Sequence, residues 1–182
     1  MGRPKAALPI GRDGHTFLSR IIATLIAAEL PEVIVISGAA VEATRGAWQT
    51  RDARVRFVEN PHWQSGQLSS LLAGLDAPSV VPIEAVLVTL VDIPLVTVDT
   101  VKTLLRTWRE TRAPIVRPAR RDEHGHPVVF DRAIFDELRA ADRSSGAKAI
   151  VRAHAAQIVN VPIDDRGAYF DVDTPEQYSS MT

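Results

Sequence analysis

An acidic residue, Asp92, stands directly after the most strongly apolar run of the sequence, residues 85–91. Such a run predicts a buried strand, and in open α/β sheets ligands bind beyond the carboxyl ends of the strands. A carboxylate held there on rigid backbone suits a Mg²⁺ ion, which prefers oxygen ligands. The alternative is that Asp92 only caps the turn before Pro94. From the spacing alone both interpretations stay open.

Two further carboxylates, Asp171 and Asp173, occupy alternate positions near the end of the sequence. In an extended strand they point to the same side. A helix is predicted immediately after them, with Thr174 as its N-cap and Pro175 at its first position. That helix start accounts for Thr174 and Pro175 but not for the two aspartates, which could complete a divalent-metal site with Asp92.

A lysine near the N-terminus, Lys5, is a candidate for binding phosphate. It follows Arg3 and Pro4; the proline stiffens the chain, and the lysine offers a point charge suited to a phosphate group. Taken alone, a terminal lysine is normally solvated. That interpretation is favoured unless other residues also point to phosphate.

The segment 60–71 joins a predicted strand to a predicted helix through small and amide-bearing residues, which include Gly66 and Ser70. Backbone amides at the start of that helix can hold an anion or the edge of a base. An ordinary loop with serine caps explains the same residues. Without further context the ordinary loop is the favoured interpretation.

The five histidines do not predict a zinc site. His124 and His126 lack a third ligand at a helix spacing that would complete one, and residues 125–127 are predicted to form a turn that leads into a strand. Gly-x-Ser-x-Gly and P-loop patterns are also missing from the sequence, which argues against serine-elbow hydrolases and P-loop NTPases.

The composition excludes several classes of function. The 182 residues carry 21 Lys+Arg against 22 Asp+Glu and no cysteine, so thiol catalysis is excluded, and nucleic acid is not a predicted partner because its binders usually show a basic excess. The longest nearly uncharged apolar stretch, residues 21–30, has about half the length of a membrane span. No apolar signal-peptide core follows Met1. The sequence predicts a cytoplasmic protein that does not contact a membrane.

Strand and helix patterns alternate along most of the chain. Apolar residues recur at three- and four-residue steps over 16–30, with Thr16 as the N-cap, and over 97–111. Short β-branched runs such as 33–36 predict strands buried on both faces. Further helices are predicted over 67–76, 132–140 and 146–155 and from about 174, and further strands over 55–58, 115–116, 128–130 and 157–161. This order implies crossover connections and therefore a single α/β domain, residues 1–182, with three layers and a mostly parallel sheet.

Six short motifs, taken in their order along the chain, resemble those of the MobA-like nucleotidyltransferase superfamily, and specifically of its molybdenum cofactor cytidylyltransferase branch. The resemblance covers nearly the whole chain. The motifs are Met1-Gly2-Arg3-Pro4-Lys5 followed by Leu8-Pro9; Asn60-Pro61 followed by Gly66, Ser70-Leu71 and Gly74-Leu75; Leu90-Val91-Asp92 with Pro94; Gly125-His126-Pro127; Gly146-Ala147-Lys148; and Asp171-Val172-Asp173-Thr174-Pro175-Glu176. Each motif is weak on its own, but six in order are specific.

The resemblance implies a Rossmann-like sandwich that transfers a nucleoside monophosphate from an NTP to a phosphate monoester. In this branch the donor is CTP and the acceptor is molybdopterin carrying molybdenum. By resemblance, Lys5 neutralises the triphosphate, Gly66 and Ser70 bind the nucleotide, and Asp92 binds Mg²⁺ together with Asp173, or alternatively Asp171. Such chemistry needs no side-chain nucleophile, because the metal and the lysine offset the repulsion between the phosphates.

The start of the sequence departs from the family pattern. Family members have an apolar strand and a Leu-Ala-Ala-Gly-x-Ser-x-Arg loop directly before Met-Gly-x-Pro-Lys, whereas this sequence begins at that methionine. An N-terminally truncated sandwich with weak or absent catalysis is therefore expected. Either an in-frame methionine was chosen as the start or the chain is a shortened relative; the first is favoured, because a missing interior strand leaves strand edges unpaired. Pro4, where the guanylyltransferase branch typically has aspartate, favours CTP over GTP.

Other functions stay open at this point. They are a MobA-like enzyme with another NTP or acceptor, a relative that acts as an oxidoreductase, and a non-catalytic carrier that delivers molybdenum cofactor to a molybdoenzyme client. Only nucleotidyl transfer releases pyrophosphate. By resemblance the stretch 121–148 faces the acceptor, whose phosphate could meet Arg120, Arg121, Arg143 or Lys148.

Overall fold

The structure is a computed structural model that describes residues 3–48, 50–79, 81–142 and 146–181. The strands are β1 (Pro9–Ile10), β2 (His15–Thr16), β3 (Val33–Ser37), β4 (Val55–Glu59), β5 (Ala85–Val88), β6 (Ile115–Arg120), β7 (Glu123–His124), β8 (Val128–Asp131) and β9 (Ile158–Pro162). The α-helices are α1 (Phe17–Ala27), α2 (Val41–Ala47), α3 (Gln67–Leu75), α4 (Val98–Thr111), α5 (Phe135–Ala140), α6 (Ala147–Ala153) and α7 (Pro175–Ser179). Short 3-10 helices cover Lys5–Ala7, Trp63–Ser65, Arg132–Ile134, Ala155–Gln157 and Arg166–Tyr169.

The largest sheet has the strand order β5-β8-β6-β7, with β9 paired to β6. β8 runs antiparallel to both β5 and β6, and β6 runs parallel to β9, so β5, β6 and β9 share one direction. The short connection 121–127 reverses the chain between β6 and β8, since it is too short for a crossover helix. Among the described residues, β3 pairs with β4 in parallel as a separate sheet, so β3 and β5 are each hydrogen-bonded on one side only.

Helices cover both faces of the largest sheet, because consecutive strand residues point to opposite sides. Ile115 of β6 and Phe130 of β8 lie in a core cluster with residues of α3 and α5. Their neighbours Val116 and Val129 lie in a second cluster with residues of α4. This arrangement confirms the predicted three-layer α/β class. It also explains the uninterrupted apolar runs, which are typical of strands buried on both faces.

The helix starts follow the predicted caps, whereas some ends differ. Thr16 accepts a hydrogen bond from the backbone N–H of Ser19 at 3.1 Å, and the Ser19 hydroxyl accepts one from the backbone N–H of Thr16 at 2.8 Å. This capping box confirms Thr16 as the N-cap of α1. The helix ends at Ala27 rather than at residue 30, because Glu29 adopts a left-handed conformation with φ of 65°.

β5 ends at Val88, three residues before the predicted end of the strand. Its last pairing partner is Val128, and the residue before that partner, Pro127, has no N–H to donate to a strand. Asp92 therefore lies in a turn after the sheet rather than on the strand itself. The extended segment expected at 171–173 is likewise not part of a strand.

The two ends of the chain pack together. Leu8, Phe17 and Val172 are buried in one cluster with Ile10, and the Tyr178 hydroxyl donates a hydrogen bond to the backbone carbonyl of Pro9 at 2.8 Å. This packing brings Lys5, near the N-terminus, beside the C-terminal aspartates. Within the ranges that the structure describes, no helix has the length and apolar character needed to cross a bilayer.

Candidate active site

Lys5 joins two of the predicted site residues. Its ammonium nitrogen Nζ lies 3.1 Å from Asp92 Oδ2 and 2.5 Å from Asp173 Oδ1. The two carboxylates are 87 and 168 residues away from Lys5 along the chain, so this cluster is made by the fold and not by local sequence. Partial burial acts to lower the pKa of Lys5, but the hydrogen bonds and charges of Asp173 and Asp92 outweigh it and raise that pKa. The lysine is therefore held in its charged form.

Asp92 is fixed in place by the backbone on both sides of the site. A turn bond runs from the N–H of Ile93 to the carbonyl of Leu90 at 3.2 Å, and Ile93 itself is fully buried. The Asp92 carbonyl accepts a hydrogen bond from the N–H of Val172 at 2.9 Å. One carboxylate oxygen, Oδ2, faces Lys5, while the other, Oδ1, is buried and has no hydrogen-bond partner among the described residues. Asp92 thus offers an oxygen that an added cation or donor could satisfy.

Asp173 is the more exposed partner, and α7 positions it. The side-chain oxygen of Gln177 accepts hydrogen bonds from the N–H of Asp173 at 2.7 Å and of Thr174 at 2.8 Å. Thr174 caps the helix in return, with Pro175 at its start as predicted. The Asp173 side chain remains 63% exposed, so it can exchange one cation for another without unfolding its surroundings.

Asp171 lies near this cluster but does not contact Lys5. Its pKa is raised by burial first and then by the negative charges of Asp92 and Asp173, while His126 and Lys5 act in the opposite direction. Three carboxylates therefore share one region with a single bound ammonium. A further cation placed there would lower their mutual repulsion.

His126 is a neighbour of the site that sequence reasoning missed, since the motif at 125–127 was interpreted as a turn. Its backbone N–H donates to the carbonyl of Ala168 at 2.8 Å, and its buried ring atom Nδ1 has no hydrogen-bond partner in the described part of the chain. Burial lowers the pKa of His126, although a backbone hydrogen bond with Val88 and the charges of Asp171 and Asp92 oppose this. The resemblance to a known motif was the available signal.

The glycine at position 125 allows residues 125–126 to lie close to the backbone of Ala168. A Cβ atom at Gly125 would lie 2.2 Å from the carbonyl oxygen of Ala168, which is far inside van der Waals contact. The Gly125 N–H also donates to the carbonyl of Pro118 at 3.0 Å. Glycine is therefore required for His126 to be held against the segment that leads to Asp171.

Gly66 and Ser70 lie at the start of α3. Gly66 is the N-cap residue with φ of 92°, a conformation that favours glycine, and the amide nitrogen of buried Asn60 donates to the hydroxyls of Ser69 at 2.8 Å and Ser70 at 3.1 Å. These hydrogen bonds tie Asn60, at the start of the loop, to the first turn of α3. Among the hydrogen bonds of the described residues, none joins Gly66 or Ser70 to Lys5, and their predicted contact with nucleotide stays a prediction.

The predicted acceptor residues are dispersed. The Arg120 guanidinium stacks 5.0 Å from the centre of the Tyr169 ring and pairs with Glu123 at 2.9 Å. Arg120 and Arg121 both line an open cavity of about 460 Å³ at the C-terminal ends of the paired strands β6 and β9. Lys148 is exposed on α6, and the fourth predicted residue, Arg143, falls outside the described ranges.

The residues of the cluster fit a divalent cation. Asp92 and Asp173 already bind one cation, the ammonium of Lys5, through carboxylate oxygens, which Mg²⁺ and Mn²⁺ prefer. The buried, unpartnered Oδ1 of Asp92 is a further oxygen donor. In the described part of the chain, no group of three or more His, Cys, Asp or Glu side chains is arranged around a common metal position. That Asp92 binds a metal together with Asp173, or alternatively Asp171, stays a prediction.

Solved structures with a similar fold cover nearly the whole chain. Rv0371c from Mycobacterium tuberculosis H37Rv, in complex with manganese, is 27% identical over 99% of this chain and 92% of that chain, with a TM-score of 0.76. The 2-C-methyl-D-erythritol 4-phosphate cytidylyltransferase from Thermus thermophilus is 21% identical over 98% and 91% of the two chains, with a TM-score of 0.73. Molybdopterin-guanine dinucleotide biosynthesis protein A from Archaeoglobus fulgidus is 15% identical over 99% and 89%, with a TM-score of 0.69.

Residues 1–158 match the family model of the MobA-like NTP transferase domain. No curated protein matches the chain. The matched range includes Lys5 and Asp92, which the fold joins to Asp173. The chain belongs to the MobA-like NTP transferase domain family and is a nucleotidyltransferase.

Proposed function

We propose that this protein transfers CMP from CTP to the phosphate of molybdopterin and releases pyrophosphate. The observation that carries the proposal is the cluster of Lys5, Asp92 and Asp173, which combines a phosphate-binding charge with two oxygen ligands for a metal. The choice of CTP rests on Pro4 and on the resemblance described above. The similar structures include a cytidylyltransferase and a molybdopterin-guanine dinucleotide biosynthesis protein, and at their low identity they support the fold rather than the choice of nucleotide.

The reaction is a displacement at phosphorus. An oxygen of the acceptor phosphate forms a bond to the α-phosphorus of CTP, the bond from that phosphorus to the bridging β-oxygen breaks, and its electron pair leaves with pyrophosphate. Bound Mg²⁺ supplies charge neutralisation at the phosphoryl oxygens. Asp92 and Asp173 would hold the ion, with Asp171 as the alternative carboxylate beside them. Positioning and electrostatic stabilisation supply most of the rate in such reactions, so no side-chain nucleophile is needed.

The chain's other residues would bind the two substrates. Lys5 would carry its charge to the triphosphate, and the helix start at Gly66 and Ser70 would face the nucleotide. The cavity beside Arg120 and Arg121 would receive the anionic acceptor, because two guanidinium groups line it. An arginine guanidinium can bind phosphate through paired N–H donors; for Arg120 this would replace its ion pair with Glu123, and Asp164 lines the same cavity.

The proposal is tested by following CTP or GTP, each carrying ³²P at the α-phosphate, with Mg²⁺ and molybdenum cofactor at high protein concentration. We expect slow formation of a labelled cofactor dinucleotide and pyrophosphate, in line with the weak catalysis expected from the sequence, with more product from CTP. The control for Asp92→Asn is Asp99→Asn, since Asp99 is an exposed carboxylate in the first turn of α4. Only Asp92→Asn should lose product. Product from GTP alone would contradict the proposal that CTP is the donor. Binding of the cofactor without pyrophosphate release from either nucleotide would favour a non-catalytic carrier of the cofactor.

A further inference from the structure

Lys5 occupies the position between the carboxylates that the metal would need. Its ammonium contacts Oδ2 of Asp92 and Oδ1 of Asp173, at 3.1 and 2.5 Å. Those two oxygens belong to the residues that the proposed function assigns to the metal. An ammonium group at hydrogen-bond distance from both oxygens and a divalent cation coordinated by the same oxygens would repel each other strongly at such a separation.

We infer that Lys5 and the divalent cation bind the same carboxylate pair alternately, so that Lys5 suppresses metal binding until a triphosphate draws its ammonium away. The inference rests on the proposed function for the identity of that triphosphate. It predicts that the nucleotide-free protein binds metal weakly and that metal and nucleotide favour each other's binding. Such coupling is reciprocal by thermodynamic necessity.

The backbone around Lys5 allows this exchange. The carbonyl of Lys5 accepts from the N–H of Leu8 at 3.1 Å, the carbonyl of Pro4 accepts from Ala7 at 3.0 Å, and Ala6 is buried. These contacts hold the main chain, whereas the Lys5 side chain is held by the two hydrogen bonds of its ammonium. A lysine stem can therefore swing to a new anion while the main chain stays in place.

Asp92 and Asp173 are also suited to bind a divalent cation after the Lys5 ammonium has left. Asp92 is fixed by backbone bonds, and its Oδ1 is buried without a partner, so a cation that reached both oxygens of Asp92 would satisfy an atom that Lys5 leaves unpaired. Asp173 is mostly exposed and can adjust to a different cation. Asp171, whose carboxylate does not contact the Lys5 ammonium directly, adds negative charge nearby.

The test is the affinity of the nucleotide-free protein for Mn²⁺, measured from the electron paramagnetic resonance signal of the free ion. Removing the lysine charge in Lys5→Ala or Lys5→Gln should tighten Mn²⁺ binding by about tenfold or more, because a positive charge leaves the immediate surroundings of the ion. Lys102→Ala is the control, since Lys102 lies on the surface at 3.8 Å from Glu29. The Mn²⁺ affinity of this variant should equal that of the wild type. Adding Asp92→Asn to Lys5→Gln should abolish the gain.

Unchanged Mn²⁺ affinity in folded Lys5 variants would overturn the inference, as would a gain that survives Asp92→Asn. A second measurement needs no variant: titrating Mg²⁺ into the wild type should release the Lys5 ammonium, seen by ¹⁵N NMR as loss of its hydrogen-bonded Nζ signal, and persistence of that signal at saturating Mg²⁺ would also overturn it. Neither measurement uses CTP or molybdopterin. A failed transfer assay beside a positive Mn²⁺ result would therefore reject the proposed reaction and leave the shared cation site standing.

Discussion

Val172 donates its backbone N–H to the carbonyl of Asp92 at 2.9 Å, and this bond fastens the C-terminal segment to the turn after β5. The Val172 side chain is completely buried beside Leu8 and Phe17. The next residue, Asp173, consequently meets Lys5 on the same side as Asp92. One buried valine thus joins the three segments that form the site.

Replacing Val172 by alanine should therefore affect both stability and the site. We expect the free energy of unfolding to fall by about 1–2 kcal/mol, because the lost methyl groups leave a cavity, and Mn²⁺ and CTP affinity to fall as Asp173 loses its support. Urea denaturation and calorimetric titration measure the two effects. Leu95→Ala is the control, because Leu95 is exposed; equal losses in both variants would refute the special position of Val172.

The two carboxylates that hold Lys5 should matter more for catalysis than Asp171. We expect Asp92→Asn to lower the rate of CMP transfer by about 100-fold or more, the usual scale for losing a charge-stabilising group. Asp171→Asn should have a smaller effect, since Asp171 does not contact Lys5. Initial rates of pyrophosphate release provide the comparison. A larger loss in Asp171→Asn than in Asp173→Asn would make Asp171, rather than Asp173, the second metal ligand.

Asp92 and Lys5 could be identified as candidate site residues from the sequence, but their contact could not. A carboxylate after an apolar run and a lysine after Arg-Pro are visible in the sequence, and local rules also predict the caps Thr16 and Thr174, both confirmed. The contact of Lys5 with both aspartates was not predictable from spacing, because it depends on packing between the chain ends. The residues alone had already suggested that Asp92 forms a metal site with Asp171 and Asp173, and only the resemblance to a family added Lys5 to them.

The parts that sequence reasoning missed depend on long-range contacts as well. His126 looked like a turn residue because its surroundings, Ala168 and Asp171, lie more than 40 residues away in the sequence. Helix α2 was not predicted, since Gly46 and the β-branched Thr44 weaken its pattern, although Thr44 bonds to the carbonyl of Ala40. β5 is shorter than predicted because its partner strand begins after Pro127.

Asp165 fastens the loop before Asp171 to the start of α4. Its carboxylate accepts hydrogen bonds from the N–H and hydroxyl of Thr97, both at 2.8 Å, from the hydroxyl of Thr100 at 2.7 Å and from the N–H of Gly167 at 2.9 Å. Burial acts to raise the pKa of Asp165, but these hydrogen bonds outweigh it and lower that pKa. Asp165→Ala should reduce the free energy of unfolding at pH 7 by about 2 kcal/mol.

The pH dependence of this effect has a definite sign. Because the pKa of Asp165 is lower in the folded than in the unfolded chain, its stabilisation is complete above the usual aspartate value and is lost as the pH falls through the folded value. The difference between wild type and Asp165→Ala should shrink as the pH falls below about 4. Urea midpoints across this range measure it, and a difference that stays constant would contradict the assignment.

His154 should give a pH dependence of the opposite sign. Its ring nitrogens lie 2.8 Å from Glu137 and 2.8 Å from Gln157, and the hydrogen bond to Glu137 raises its pKa. Its contribution to stability is thus present below the usual histidine value and is lost as the pH rises through the raised value. Relative to His154→Gln, the wild type should lose a small stability advantage between about pH 6 and pH 8. A stability difference between the two proteins that stays constant from about pH 6 to pH 8 would contradict a stabilising interaction between His154 and Glu137.

The most direct test of the site is a crystal structure of the protein with Mn²⁺ and a non-hydrolysable CTP analogue. We expect an anomalous manganese peak coordinated by Asp92 and Asp173, with the Lys5 ammonium moved onto the triphosphate. The central claim is that these three residues form the metal–nucleotide site. A manganese peak at another position would contradict it, as would a Lys5 ammonium that still bridges Asp92 and Asp173 when the nucleotide is bound.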